Sequence, residues 1–123
     1  MRVDVEAQRE LGRYGEDVAA AFLTAKGWRV LDRNWRCREG ELDMIAQPGP
    51  ETLVFVEVKT RRDDRCGAPA EAVTYRKLAR LRRLAAAWLH AHGEHAQKVR
   101  IDVIAVTTGP AGRSIEHIEG VTL

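Results

Sequence analysis

Asp43, Glu57 and Lys59 are charged side chains set inside two otherwise apolar runs, Gly40-Glu41-Leu42-Asp43-Met44-Ile45 and Phe55-Val56-Glu57-Val58-Lys59. A charge in such a run is costly unless it is paired, neutralised or bound to a metal. Two carboxylates offer the hard oxygen ligands that Mg²⁺ prefers, and Mg²⁺ retains waters beside them. A cation held there lowers the pKa of a bound water and stabilises charge on a phosphate. A neighbouring lysine can position that water or balance the developing charge. The spacing therefore admits metal-assisted phosphodiester hydrolysis. It equally admits a structural salt bridge at the end of a hairpin, and Glu-x-Lys alone does not separate the two.

The elements that must position these groups read as helix, three strands, helix, two strands. Leu11, Tyr14, Val18 and Phe22 recur at helical spacing and predict a first helix over about 4–26, stopped by Gly27. Gly12 and Gly15 weaken that helix or permit close packing, and Glu16 lies at the edge of the apolar stripe. Strands are expected over 28–35, with Asn34 starting a turn, and over 41–47 and 52–60. The intervening Gln47-Pro48-Gly49-Pro50-Glu51 is a turn signal, so the second and third strands pair as an antiparallel hairpin. Alternation puts Glu41, Asp43 and Ile45 on one face, and Phe55, Glu57 and Lys59 on one face opposite Val54, Val56 and Val58.

Residues 61–69 read as an irregular, mobile loop. A second helix follows over about 70–92, with Leu78, Leu81, Ala85, Trp88 and Leu89 on one side and Arg76, Arg80 and Arg83 on the other. Val99 to Thr107 is a β-branched strand, Gly109-Pro110-Ala111-Gly112 turns the chain, and Ser114 to Glu119 closes it as an edge strand. This order implies an α/β fold, a mixed sheet with helices on its faces and segments 54–58 and 101–106 at its centre. Asp102, two residues after Arg100 and of the same parity, reads as a structural ion pair.

Composition narrows the class. The 123 residues suit one domain with its own core. A net charge of +2, from 20 basic and 18 acidic residues, predicts no nucleic-acid partner by itself; the clustering of arginines is more suggestive. Cys37 and Cys66 lack zinc spacing. His90, His92 and His95 gather near a helix end without specifying a metal site, and His117 stands alone. No apolar stretch reaches membrane-spanning length and no signal region opens the chain, so a reduced cytoplasmic protein with no membrane partner is the expectation.

Gly40-Glu41-Leu42-Asp43 followed by Val56-Glu57-Val58-Lys59-Thr60-Arg61 resembles the paired motif of the PD-(D/E)xK nuclease superfamily. More closely, the chain resembles the bacterial UPF0102 (YraN-like) family, which is similar to archaeal Holliday-junction resolvases. The resemblance spans most of the sequence. It takes in Gly15-Glu16, Arg33-Asn34-Trp35-Arg36, Pro69-Ala70-Glu71-Ala72-Val73 and Arg100-Ile101-Asp102-Val103-Ile104-Ala105-Val106.

The resemblance implies a restriction-endonuclease-like fold, with Asp43 and Glu57 as metal ligands, Lys59 as the catalytic lysine and Glu16 joining the site. It implies Mg²⁺ or Mn²⁺ as cofactor, branched or otherwise structured DNA as substrate, and a homodimer that makes paired cuts. Arg33, Arg36, Arg38, Arg61, Arg62 and Arg65 are the arginines expected to contact phosphates. Arg76, Arg80 and Arg83 either join them or form the solvated face of the second helix. The competing expectation is a structured-DNA-binding or repair and recombination accessory protein whose nuclease-like site is silent.

Overall fold

A computed structural model describes residues 4–62 and 73–121. Cys66, Arg65 and all of the 61–69 loop except Arg61 and Arg62 lie outside the described residues, as do Pro69-Ala70-Glu71-Ala72. The elements run α1 (Val5–Ala25), β1 (Arg29–Cys37), β2 (Gly40–Gly49), β3 (Thr52–Arg61), α2 (Tyr75–His92), β4 (Lys98–Gly109) and β5 (Gly112–Ile118). The strands form one sheet in the order β1-β2-β3-β4-β5. Only β3 and β4 are parallel, as the intervening α2 crossover allows. This is the mixed-sheet α/β architecture expected, and it is consistent with a restriction-endonuclease-like fold.

Each sheet face carries a helix and a core. Beneath α2, Leu78, Leu81, Leu84, Ala85 and Trp88 meet Leu42, Ile45, Leu53, Phe55, Ile101 and Val103. On the other face, Ala19 and Leu23 of α1 meet Met44, Ala46, Val54, Val56, Ile104 and Val106. The central strands are apolar on both sides because both sides are covered.

Three expectations change in detail. The innermost line of α1 is Gly15, Ala19 and Leu23; Val18 and Phe22 flank it, and Tyr14 is 40% exposed. Small residues take the line of closest approach because larger ones would hold the helix off the sheet. At Gly15 the approach is extreme: a Cβ there would lie 1.8 Å from Thr60 Oγ1. Helix α2 starts at Tyr75, not near residue 70. Thr74 is extended and its hydroxyl accepts from the Lys77 N–H, capping the helix there.

The third change concerns Asn34, which lies inside β1 with φ 54°, a left-handed conformation that asparagine tolerates better than most residues. The β1–β2 register is the same on both sides of it, Arg33↔Met44 and Trp35↔Leu42, and shifts earlier, between Val30 and Asp32. Along β2, Leu42 and Ile45, three positions apart, both reach the core under α2. Simple alternation therefore does not run through Asp43, and Glu41, Asp43 and Ile45 do not share one face as the period-2 reading expects. Phe55 and Val54/Val56 do take opposite faces of β3 as expected.

Candidate functional site

The acids converge where the hairpin opens. β2 and β3 are paired at Ala46↔Val54, Ile45↔Phe55 and Met44↔Val56. One step further, the Val58 N–H donates to Asp43 Oδ2 at 2.9 Å, so a side chain takes a backbone donor at the opening. Glu57 follows directly on β3. Burial and then the Glu57 charge push the Asp43 carboxyl up to about 7, against the Val58 hydrogen bond, with Glu16 and Glu41 adding to the rise. Burial also raises Glu57, opposed by the charges of Lys77, Arg80 and Lys59 in that order. Two carboxylates thus sit in a desolvated, mutually repelling setting in which at least one favours its proton.

Glu16 reaches this cluster because α1 lies so close at Gly15. Burial raises its carboxyl, while a hydrogen bond from the Asn34 side chain opposes the rise. Glu16 and Lys59 line the same cleft of about 290 Å³ with Gln8, Leu11, Gly12, Val58 and Thr60. Sequence reading treats Asn34 as a turn former and misses its contact with Glu16.

The second charged contribution missed by sequence comes from α2. Lys77 in its first turn, and Arg80 one turn on, face Glu57 electrostatically. Arg80 also packs its stem near Gly40, where a Cβ would lie 4.0 Å from Arg80 Cδ. A helix-two apolar projection ranks Lys77 as an ordinary surface lysine, and only the crossover geometry aims it at β3.

The arginines expected to contact phosphates divide into several groups. Arg33 pairs with Asp17 at 2.7 Å and Arg36 with Glu41 at 3.3 Å. Arg38, in the β1–β2 turn, and Arg62 are exposed, whereas Arg61 is buried at 9% exposure. Among the described residues no cluster of three or more His, Cys, Asp or Glu side chains is arranged to hold a metal, so any cation here would rest on two carboxylates and water.

The one buried carboxylate among the described residues is fully satisfied. Asp102, 0% exposed, receives Arg100 bidentately at 2.8 and 2.9 Å, the Gly120 N–H at 2.9 Å and His117 Nε2 at 2.8 Å. Burial alone would raise its pKa. The hydrogen bonds from His117, Arg100 and Gly120 outweigh burial and hold it below the usual carboxylate range. Lys26 Nζ lies 3.1 Å from His117 Nδ1. An ammonium only donates, so Nδ1 accepts and the ring proton sits on Nε2, facing Asp102. The structural ion pair expected at Asp102 is present, and His117, uninformative in sequence, is one of its donors.

These features define an α/β protein with two half-buried carboxylates at the open end of its central hairpin, beside a cleft lined by Glu16 and Lys59. The profile of the Uncharacterised protein family UPF0102 matches residues 15–106, and the chain belongs to that family. It is 57% identical over 118 residues to a UPF0102 protein of Beutenbergia cavernae, covering 95% of this chain and 99% of the relative. A Frankia casuarinae member is 56% identical over 119 residues, covering 94% and 98% of the two chains. A Mycobacterium tuberculosis member is 53% identical over 117 residues, covering 91% of each. No helix among the described residues is long and apolar enough to cross a membrane.

Proposed function

We propose that this protein is a metal-dependent endonuclease acting on branched or otherwise structured DNA. The observation that carries the reading is the Asp43–Glu57 pair: two half-buried carboxylates raised by desolvation, beside Lys59, at the point where the hairpin opens. A desolvated pair of repelling carboxylates costs the metal-free fold, and perturbed carboxylates beside a cleft support a functional site. The likeness of the Asp43 and Glu57-x-Lys59 motifs to PD-(D/E)xK nucleases and Holliday-junction resolvases supports the same chemistry.

The donor set suits Mg²⁺ or Mn²⁺, since both side chains are hard oxygen donors and two carboxylates leave room for retained waters. Asp43 and Glu57 would hold the ion, which when bound supplies Lewis-acid stabilisation of the phosphate and a more acidic water. The Val58 N–H fixes one Asp43 oxygen and so sets the orientation of the carboxylate. Lys59 orients the attacking water or balances charge on the phosphate. Glu16, which accepts a hydrogen bond from Asn34 and lines the same cleft as Lys59, would accept a proton from that water. The exposed Arg38 and Arg62 contact phosphates. As with resolvase-like enzymes, a homodimer presents two such sites for paired cuts, and the protein works in the cytoplasm.

The test is a panel of linear, flap and four-way DNAs, each with Mg²⁺, Mn²⁺ or chelator, using wild type, Asp43→Ala and Glu57→Ala. Metal-dependent cutting of at least one structured DNA by the wild type, lost in both variants, is the expected result. Equal cutting by the folded variants overturns the assignment. Light scattering with and without a four-way junction addresses the dimer, and a strict monomer in both conditions contradicts it.

A further inference from the structure

Helix α2 carries Arg76, Lys77, Arg80, Arg82 and Arg83 and no acidic residue. Its first turn holds Arg76 and Lys77, where the helix dipole disfavours positive charge. Helix α1 is arranged the other way, with Asp4 as its cap and Glu6 in its first turn. A net charge of only +2 for the whole chain makes this acid-free basic helix an uneven deposit. Arg76, Arg80 and Arg83 recur on one exposed side, opposite the buried Leu78, Leu81, Ala85 and Trp88.

The ridge is continuous with two neighbours. Arg80 and Leu84 pack beneath Gly40, so the ridge abuts the β1–β2 turn that exposes Arg38. Glu41, the nearby acid of β2, is already engaged by Arg36 at 3.3 Å. At the start of the helix Tyr75 is 74% exposed, an aromatic ring beside the cations. Lys77 and Arg80 lead from this surface to Glu57.

We propose that the exposed face of α2, Arg76, Arg80 and Arg83 with Arg38 of the adjoining turn, is a track for the phosphate backbone of a nucleic-acid duplex leading toward the Asp43–Glu57 pair. Three cations separated by whole helical turns match a row of fixed anions better than one small ligand, and arginine forks suit phosphate oxygens. The apolar face of α2 is spent on the core, so the helix has no hydrophobic side to insert into a lipid surface. The inference rests on the nucleic-acid reading above, but not on cleavage.

Binding of a fluorescent blunt duplex is measured by anisotropy in chelator, across a salt series, for wild type and for the combined Arg76→Gln, Arg80→Gln, Arg83→Gln variant. Circular dichroism checks that the variant folds, as expected for exposed side chains. Loss of three phosphate contacts predicts a log K against log salt slope shallower by about 2–3, with at least roughly tenfold weaker binding at low salt. Arg113→Gln on β5 serves as a single-charge control and changes the slope by at most about 1.

An unchanged slope and affinity in the triple variant overturns the track, whether or not the wild type cleaves DNA. Wild-type binding with the predicted slope change but no metal-dependent cutting upholds the track and removes the nuclease reading. Preferential loss of binding to phosphatidylserine vesicles, with duplex binding intact, assigns the ridge to a membrane surface and also overturns the proposal.

Discussion

Two carboxylate sites in one sheet share a sequence pattern and differ in fate. Arg100-x-Asp102 on β4 and Glu57-x-Lys59 on β3 both place an acid and a base two residues apart on a central strand. Asp102 is closed by four hydrogen-bond donors and held below the usual carboxylate range. Asp43 and Glu57 are pushed upward by burial. Neighbouring structure makes the difference. β5 and the turn after it bring His117 and Gly120 to Asp102, and arginine supplies a two-pronged donor. At Asp43 and Glu57 the β2–β3 pairing has just ended, so no further rung of that hairpin brings donors, and lysine offers a point charge. A carboxylate in a buried strand is therefore structural or available according to what the adjacent strand delivers.

The largest expected effect lies at the closed site. Asp102→Ala leaves Arg100 and His117 without their buried anion and costs about 3–5 kcal/mol in urea unfolding. A loss below about 1 kcal/mol would deny Asp102 its role as hub. Next comes Gly15→Ala, whose new methyl overlaps Thr60. It should cost about 1–3 kcal/mol, and Thr60→Gly in the same chain should recover part of the loss. Additive effects in that double-mutant cycle contradict the contact.

A change of opposite sign is expected at the open site. Asp43→Asn keeps an acceptor for the Val58 N–H and removes the repelled charge. In metal-free buffer at pH 8 it should stabilise the fold, by roughly 1–3 kcal/mol. Destabilisation of that size would mean that Asp43 is paired.

The last expected effect is the shape of stability against pH. Asp43 has a folded pKa of about 7 against an ordinary value of 3.8. Between those values the folded state holds more protons than the unfolded one, so metal-free stability falls as pH rises through the window up to about 7. Asp102 acts inversely. Its folded pKa is depressed, so its contribution is present above 3.8 and is lost as pH falls through the lower folded value. Asp43→Asn should flatten the first slope and leave the second, which denaturant titrations at a series of pH values will separate.

Much of this architecture is legible in the chain itself. Pro48, Gly49 and Pro50 announce the hairpin, Gly109 to Gly112 the last turn, and the β-branched runs at 54–58 and 101–106 the central strands. Asp102 is readable as an ion pair because Arg100 shares its parity. The rest depends on long-range geometry. Alternation breaks between Leu42 and Ile45 without a local signal, and nothing distinguishes the left-handed Asn34 from a turn former. The line of closest approach along α1 is set by glycine and alanine, which carry no weight in an apolar stripe. His117 and Lys77 gain their roles only from the strand or helix packed beside them.

The most direct test of the open site is a calorimetric titration of Mn²⁺ and Mg²⁺ into the metal-free protein near pH 7, run in two buffers of different ionisation enthalpy. Saturable binding with proton release is predicted for the wild type, because a cation displaces the proton that burial favours on the carboxylate pair. Asp43→Asn and Glu57→Gln should each weaken it severely, and Asp102→Asn, where folded, should leave it intact. No binding by the wild type, or equal binding by the Asp43 and Glu57 variants, would contradict the account.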